Sequence, residues 1–145
     1  MRLLLLTIFL FALNSAQCPS RYFFEADLNT CLYYSGKQET FSAALGFCQA
    51  NSGNLLSIHS PFQNNLLAQI QYSETVLRGW LGIVKTNGTW QWTDETPLDY
   101  LKFQSNDDDT LSCAILDSTN SMWKAVSCEA TYQFLCSASP TSINQ

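Results

Sequence analysis

WLGIVKTNGTWQWTDETPLDY (residues 80–100) sets two β-branched and aromatic runs, WLGIV (80–84) and TWQWT (89–93), on either side of Lys85–Gly88. Asn87-Gly88 is a strong hairpin signal, because a tight two-residue turn needs positive φ and these residues accept it. Trp80, Trp90 and Trp92 belong to these strands, where large aromatic side chains fill a core. Beyond them the chain turns polar and aperiodic from Asp94 to Ser112, and again from Asp117 to Ser121. Loops of that size in a compact domain are usually functional or cross-linked.

Upstream the period is helical. Thr40 is placed to cap a helix whose apolar positions Phe41, Ala44, Leu45 and Cys48 follow i, i+3, i+4, i+7, and Gly53 is a stop signal. A second helix is expected over 61–72. Ser60 is its cap, Pro61 its first residue and Gln63 its capping-box partner, with Phe62, Leu66, Leu67 and Ile70 as the apolar positions. Downstream, CAIL (113–116) and QFLCS (133–137) read as short strands.

The first 17 residues have a basic Arg2, an apolar run from Leu3 to Leu13 and a small-residue end, the layout of a signal peptide with cleavage near Ala16. That run is shorter than the roughly 20 apolar residues that span a bilayer, so membrane insertion is not expected and the chain is expected to be secreted and extracellular. Without residues 1–17 the chain carries six basic and twelve acidic side chains, a net charge of −6. Such a surface repels nucleic acid. Residues 18–137 suffice for one domain with its own core, and SASPTSINQ reads as a loose tail, with 138–145 outside the domain.

All six cysteines (Cys18, Cys31, Cys48, Cys113, Cys128, Cys136) lie beyond the signal segment. An even number in a secreted chain argues for three disulfides, but their connectivity stays open at this level. With one histidine and no C-x-x-C spacing, a structural zinc site has little to work with.

Taken in order, the motifs resemble the C-type lectin-like domain. They are Cys-x12-Cys, a helix ending at Cys48, GNLLSIHS (53–60), WLGI, the W-x-W-x-D-x-T-x-x-x-Y run of 90–100, and C-x14-C-x7-C. The resemblance runs from Cys18 to about Ser137. It implies an α+β fold with two helices, short antiparallel sheets, a long loop region and three disulfides. It also implies the pairs Cys48–Cys136 and Cys113–Cys128, with Cys18–Cys31 as the extra bridge of longer members.

Sugar-binding members of that family hold a Ca²⁺ through a Glu-Pro-Asn or Gln-Pro-Asp triplet, a Glu shortly before a core cysteine, and an Asn-Asp pair after a Trp. Ca²⁺ takes about six to eight oxygen ligands, so losing these sources removes the site. Here the pair is Lys124-Ala125 after Trp123, the Glu position is Leu111, and QSNDDDTLS (104–112) contains no such triplet. Ca²⁺ at the usual sugar site is therefore not expected, and no other cofactor is implied.

Asp107, Asp108 and Asp109 offer carboxylates to some other Ca²⁺ arrangement. Successive side chains of an extended segment alternate in direction, however, so the run reads as a solvated acidic loop in which Lys124 pairs with one acid. Asn106, Asp107, Asp108, Trp123 and Lys124 are the candidate ligand contacts. Trp123 has two readings, a core residue or a face that stacks on a sugar ring.

His59 stands before the Ser60 cap with no serine aligned to it, and no nucleophile elbow, metal motif or phosphate loop appears, so catalysis is not expected. Asn87-Gly88-Thr89 is an N-glycosylation sequon on the hairpin tip. Two functions follow from different classes. One is recognition of a carbohydrate or glycoprotein without the usual Ca²⁺; the other is binding of an extracellular protein by a scaffold that has lost its sugar site.

Overall fold

The computed structural model describes residues 16–105 and 108–142. After β1 (Ala16–Gln17), β2 (Phe23–Glu25) and a 3-10 turn (Ala26–Leu28) come β3 (Thr30–Glu39), α1 (Phe41–Ala50), β4 (Asn54–Leu55) and α2 (Pro61–Ser73). The second half is all strand: β5 (Arg78–Thr86), β6 (Thr89–Trp92), β7 (Cys113–Asp117), β8 (Met122–Val126), β9 (Tyr132–Ala138) and β10 (Thr141–Ser142).

The main sheet runs β2-β3-β9-β5-β7-β8, with β4 added to β9 and β6 to β5. Its pairs are antiparallel except β5–β9, which is parallel through Gly79–Gln133 and Trp80–Phe134. The expected α+β arrangement of two helices and antiparallel strands is thus present, tied together by one parallel pair at the centre.

Consecutive residues in the central strands enter two different cores, because side chains alternate across a strand. Trp80, Ile115 and Phe134 join Phe41, Ala44 and Cys48 of α1. Their neighbours Leu81, Leu116 and Leu135 join Leu67 and Ala68 of α2. This double coverage explains why WLGIV is apolar without a break. Gly82 fits the same geometry: a Cβ there would stand 2.9 Å from the Leu55 carbonyl oxygen and 2.8 Å from Thr93 Oγ1.

Both caps form as the sequence indicates. Thr40 Oγ1 accepts from Ala43 N, and Ser60 Oγ accepts from Gln63 N at 3.1 Å. Gln63 Oε1 reaches back to His59 N, one residue before the cap. The buried stripe of α2 departs from the expected one. It is Asn64, Leu67, Ala68 and Gln71, while Phe62 is 60% exposed. Two amides enter the core here, and Asn64 does so with both ends bonded: it donates to Ser121 O at 2.8 Å and accepts from Trp123 Nε1 at 2.7 Å.

The three disulfides join Cys18–Cys31, Cys48–Cys136 and Cys113–Cys128, the connectivity the resemblance implies. Strand β9 runs to Ala138, one residue beyond the expected domain boundary, and Thr141 and Ser142 pair with Gln17 and Ala16, the last two residues of the expected signal segment.

The Asn87-Gly88 turn has φ of 51° and 77°, and both residues are exposed. A glycan on Asn87 would project from the hairpin tip into solvent. Material from a eukaryotic secretory host is expected to lose one glycan's mass on enzymatic deglycosylation, and Asn87→Gln is expected to abolish that shift. An intact-mass spectrum of Asn87→Gln that still falls on deglycosylation would contradict the assignment.

Candidate functional site

The long connection between β6 and β7 is anchored at three places. Residues 102–104 lie along β8, with Trp123 N donating to Lys102 O at 2.9 Å and Gln104 N donating to Trp123 O at 2.8 Å. At its far end, Lys85 Nζ approaches Asp109 Oδ1 at 3.7 Å and lies 5.1 Å from the centre of the Trp90 ring. Trp90 in turn stacks on Phe103 at 4.7 Å. The third anchor, around His59, is described below.

Lys85 was not singled out by the sequence. Its side chain is only 13% exposed, held between an aromatic face and the acidic run. A desolvated ammonium gains both a cation–π contact and a nearby carboxylate in this place. The only sequence signal was its position near the hairpin end of a strand, where a long charged side chain can lie along an apolar neighbour and still reach water.

Asp108 Oδ1 accepts from Thr110 N and Thr110 Oγ1, closing a local turn, while Asp109 faces Lys85. The Thr110 hydroxyl, then its backbone N–H, lower the pKa of Asp108 below the usual carboxylate range, with a smaller contribution from Lys85. Asn106 and Asp107 lie outside the described residues. Among the described residues no group of three His, Cys, Asp or Glu side chains is placed to hold a metal ion.

Two of the candidate contacts on β8 separate. Trp123 is 0% exposed and packs edge-on against Trp92, Tyr100 and Phe103, so the reading of its face as a sugar platform is corrected: it is a core residue. The reason is the Asn64 amide, which satisfies the indole N–H inside the domain and leaves the ring no need of solvent. Lys124, next along the strand, points to the other face and is exposed. The lysine that meets the acidic run is Lys85, not Lys124 as expected from sequence.

A second constellation surrounds His59. Nδ1 lies 2.7 Å from Asp99 Oδ1, Nε2 lies 3.2 Å from Ser57 Oγ, and Ser57 Oγ donates to Asp94 Oδ2 at 2.5 Å. Asp94 Oδ1 accepts from Thr96 N and Thr96 Oγ1. Ser57, His59, Asp94 and Thr96 rim a cleft of about 430 Å³ with an apolar wall that includes Leu28, Leu32 and Leu56. The sequence reading aligned no serine with His59; the fold does. The overlooked signal was the i, i+2 spacing of Ser57 and His59, which places both side chains on one side of an extended segment.

Ser57, His59 and Asp99 stand in the order of a hydrolase relay, yet the fourth member changes the chemistry. Acyl transfer needs donors where the oxyanion develops, and a carboxylate of Asp94 against the serine hydroxyl supplies negative charge at that place. The arrangement is suited to holding the loop, not to activating a nucleophile.

The architecture is a disulfide-stapled α+β scaffold with one long anchored loop. The family profile described as the lectin C-type domain matches residues 37–138, and the chain belongs to that family.

The human killer cell lectin-like receptor subfamily G member 1 is 29% identical over 123 residues, which cover 85% of this chain and 58% of the receptor. A type-2 ice-structuring protein of Brachyopsis segaliensis is 30% identical over 114 residues, covering 73% of this chain and 64% of that protein. The chain therefore spans less than two thirds of these relatives, and only 9% of the human secretory phospholipase A2 receptor, to which it is 30% identical.

Among solved structures, human lithostathine superposes with a TM-score of 0.73 at 26% identity, covering 84% of this chain and 99% of its own. A calcium-independent type II antifreeze protein gives 0.75 at 25%, covering 88% and 98%. No described helix is long and apolar enough to cross a membrane.

Proposed function

We propose that the protein is a secreted recognition domain that binds a carbohydrate or glycoconjugate without the Ca²⁺ site usual in sugar-binding relatives. The observation that carries this reading is the replacement of Ca²⁺ donors by cations and apolar groups. Lys124 and Ala125 follow Trp123, Leu111 precedes Cys113, and the Lys85 ammonium sits beside the acidic run, so that Asp109 meets a cation belonging to the protein itself. An ammonium this close to a carboxylate opposes entry of a second cation. The solved relative titled calcium-independent supports a scaffold of this kind working without the ion.

Secretion rests on the layout of residues 1–17, on the three disulfides and on the exposed sequon at Asn87. The names of the relatives run from receptors to an ice-structuring protein, so family membership alone does not choose the ligand.

A second reading, a protein-binding module, is favoured by Leu98 and Leu101. These side chains of the long loop are 39% and 52% exposed and lie three residues apart, offering an apolar contact to a partner.

A glycan array probed in Ca²⁺ and again in EDTA separates the two. Binding that survives EDTA is the expected result, and binding abolished by EDTA would sink the Ca²⁺-free reading. Absence of any glycan signal, with Leu101→Asp weakening capture of a protein ligand, would transfer the assignment to the second reading. Calorimetric titration with Ca²⁺ is expected to show no sub-millimolar transition.

A further inference from the structure

The hydrogen bonds around His59 can be counted by protons. Asp94 and Asp99 as carboxylates only accept; Ser57 has one hydroxyl proton; a neutral imidazole has one N–H. With Ser57 donating to Asp94, the Nε2–Ser57 contact needs a proton on Nε2, and the Nδ1–Asp99 contact needs another on Nδ1. All three contacts coexist only when the ring carries both protons. With a neutral ring the set is one proton short, and one contact must open.

Among the described residues, Thr96 is the one further side chain hydrogen-bonded to the side chains of this set. The loop presents Asp94 and Asp99 to this side, α2 presents the uncharged Gln63, β6 presents the Trp92 ring at 5.8 Å, and the cleft wall opposite is formed by Leu28, Thr30 and Leu32. Asp94 is already committed through its second oxygen to Thr96, which fixes the direction of its first.

We propose that Asp94–Ser57–His59–Asp99 is a proton-operated clamp that ties the root of the long loop, residues 94–99, to the segment before α2, closing when His59 gains a proton and loosening when it loses it. The closed state binds one proton more than the open one, so falling pH favours closure, down to the point where the carboxylates themselves become protonated. Because Ser57, His59, Asp94 and Thr96 rim the 430 Å³ cleft, closure also sets the shape of its mouth.

Asp94→Asn tests the count directly. An asparagine keeps the acceptor for Thr96 and turns the other oxygen into an N–H donor; Ser57 then accepts from it and donates to a neutral His59, and the set is complete without an added proton. Amide hydrogen exchange of residues 94–100 in the full chain, corrected for intrinsic rates, is to be compared at about pH 5.5 and about pH 8.

The wild type is expected to be protected roughly tenfold more at the lower pH, the equivalent of one hydrogen bond, with the amides of β5 unchanged. Asp94→Asn is expected to be protected alike at both. Equal protection in the wild type, or an unaltered pH dependence in Asp94→Asn, overturns the clamp. Should the variant fold poorly, the single histidine of the chain gives unambiguous ring ¹⁵N signals in the wild type. Loop protection must then follow the ring's protonation, and a divergence between the two overturns the proposal equally.

Discussion

Trp123→Ala is expected to cost about 3–5 kcal/mol of folding stability, read as the fall in unfolding free energy from urea denaturation. The indole is fully buried where Trp92, Tyr100 and Phe103 meet it edge-on, so truncation leaves a cavity bounded by three rings that cannot all follow the missing atoms. It also strips the Asn64 carbonyl oxygen of its donor in a buried place. Trp123→Phe separates the two contributions: most of the packing is retained, and the remaining loss of about 1–3 kcal/mol reports the unpaired amide. If Trp123→Phe were as stable as the wild type, the buried hydrogen bond to Asn64 would carry no weight.

The paired substitution Cys48→Ala, Cys136→Ala is the second large effect. This bridge joins the last turn of α1 to the central strand β9 and closes a loop of 88 residues in sequence separation. The chain-entropy account puts its loss at roughly 4–5 kcal/mol, because the unfolded chain regains the freedom the link denied it. Both sulfurs also fill the α1-side core beside Leu55, Trp80 and Phe134, so alanine adds a small cavity. By contrast, the Cys18–Cys31 bridge spans 13 residues, and its removal is expected to cost less. Thermal denaturation of the two double variants side by side gives the order; a larger loss for Cys18→Ala, Cys31→Ala would contradict it.

Much of the fold was legible because its signals are local. The Ser60-Pro61-Phe62-Gln63 start, the Thr40 cap and the Asn87-Gly88 turn depend on neighbours within a few residues, and each forms where the sequence places it. Strand β8 (Met122–Val126) was not legible in the same way. MWKAV alternates weakly, and it is strand because β7 and residues 102–104 complete its backbone hydrogen bonds. The apolar stripe of α2 was displaced for a related reason: Phe62 is apolar but faces water, whereas Asn64 is polar and finds two partners in the core.

For the candidate site, the sequence by itself determined which residues stand where the family resemblance expects Ca²⁺ donors: Leu111, Lys124 and Ala125, read from the chain without coordinates. Only the tertiary structure decided which side chains meet, since the pairs are distant in sequence. Lys85 meets Asp109 across 24 positions, Trp123 meets Asn64 across 59, and His59 meets Asp99 across 40. Local propensity carries no information about such encounters; they follow from the sheet order, which sets β5 beside β7 and β7 beside β8.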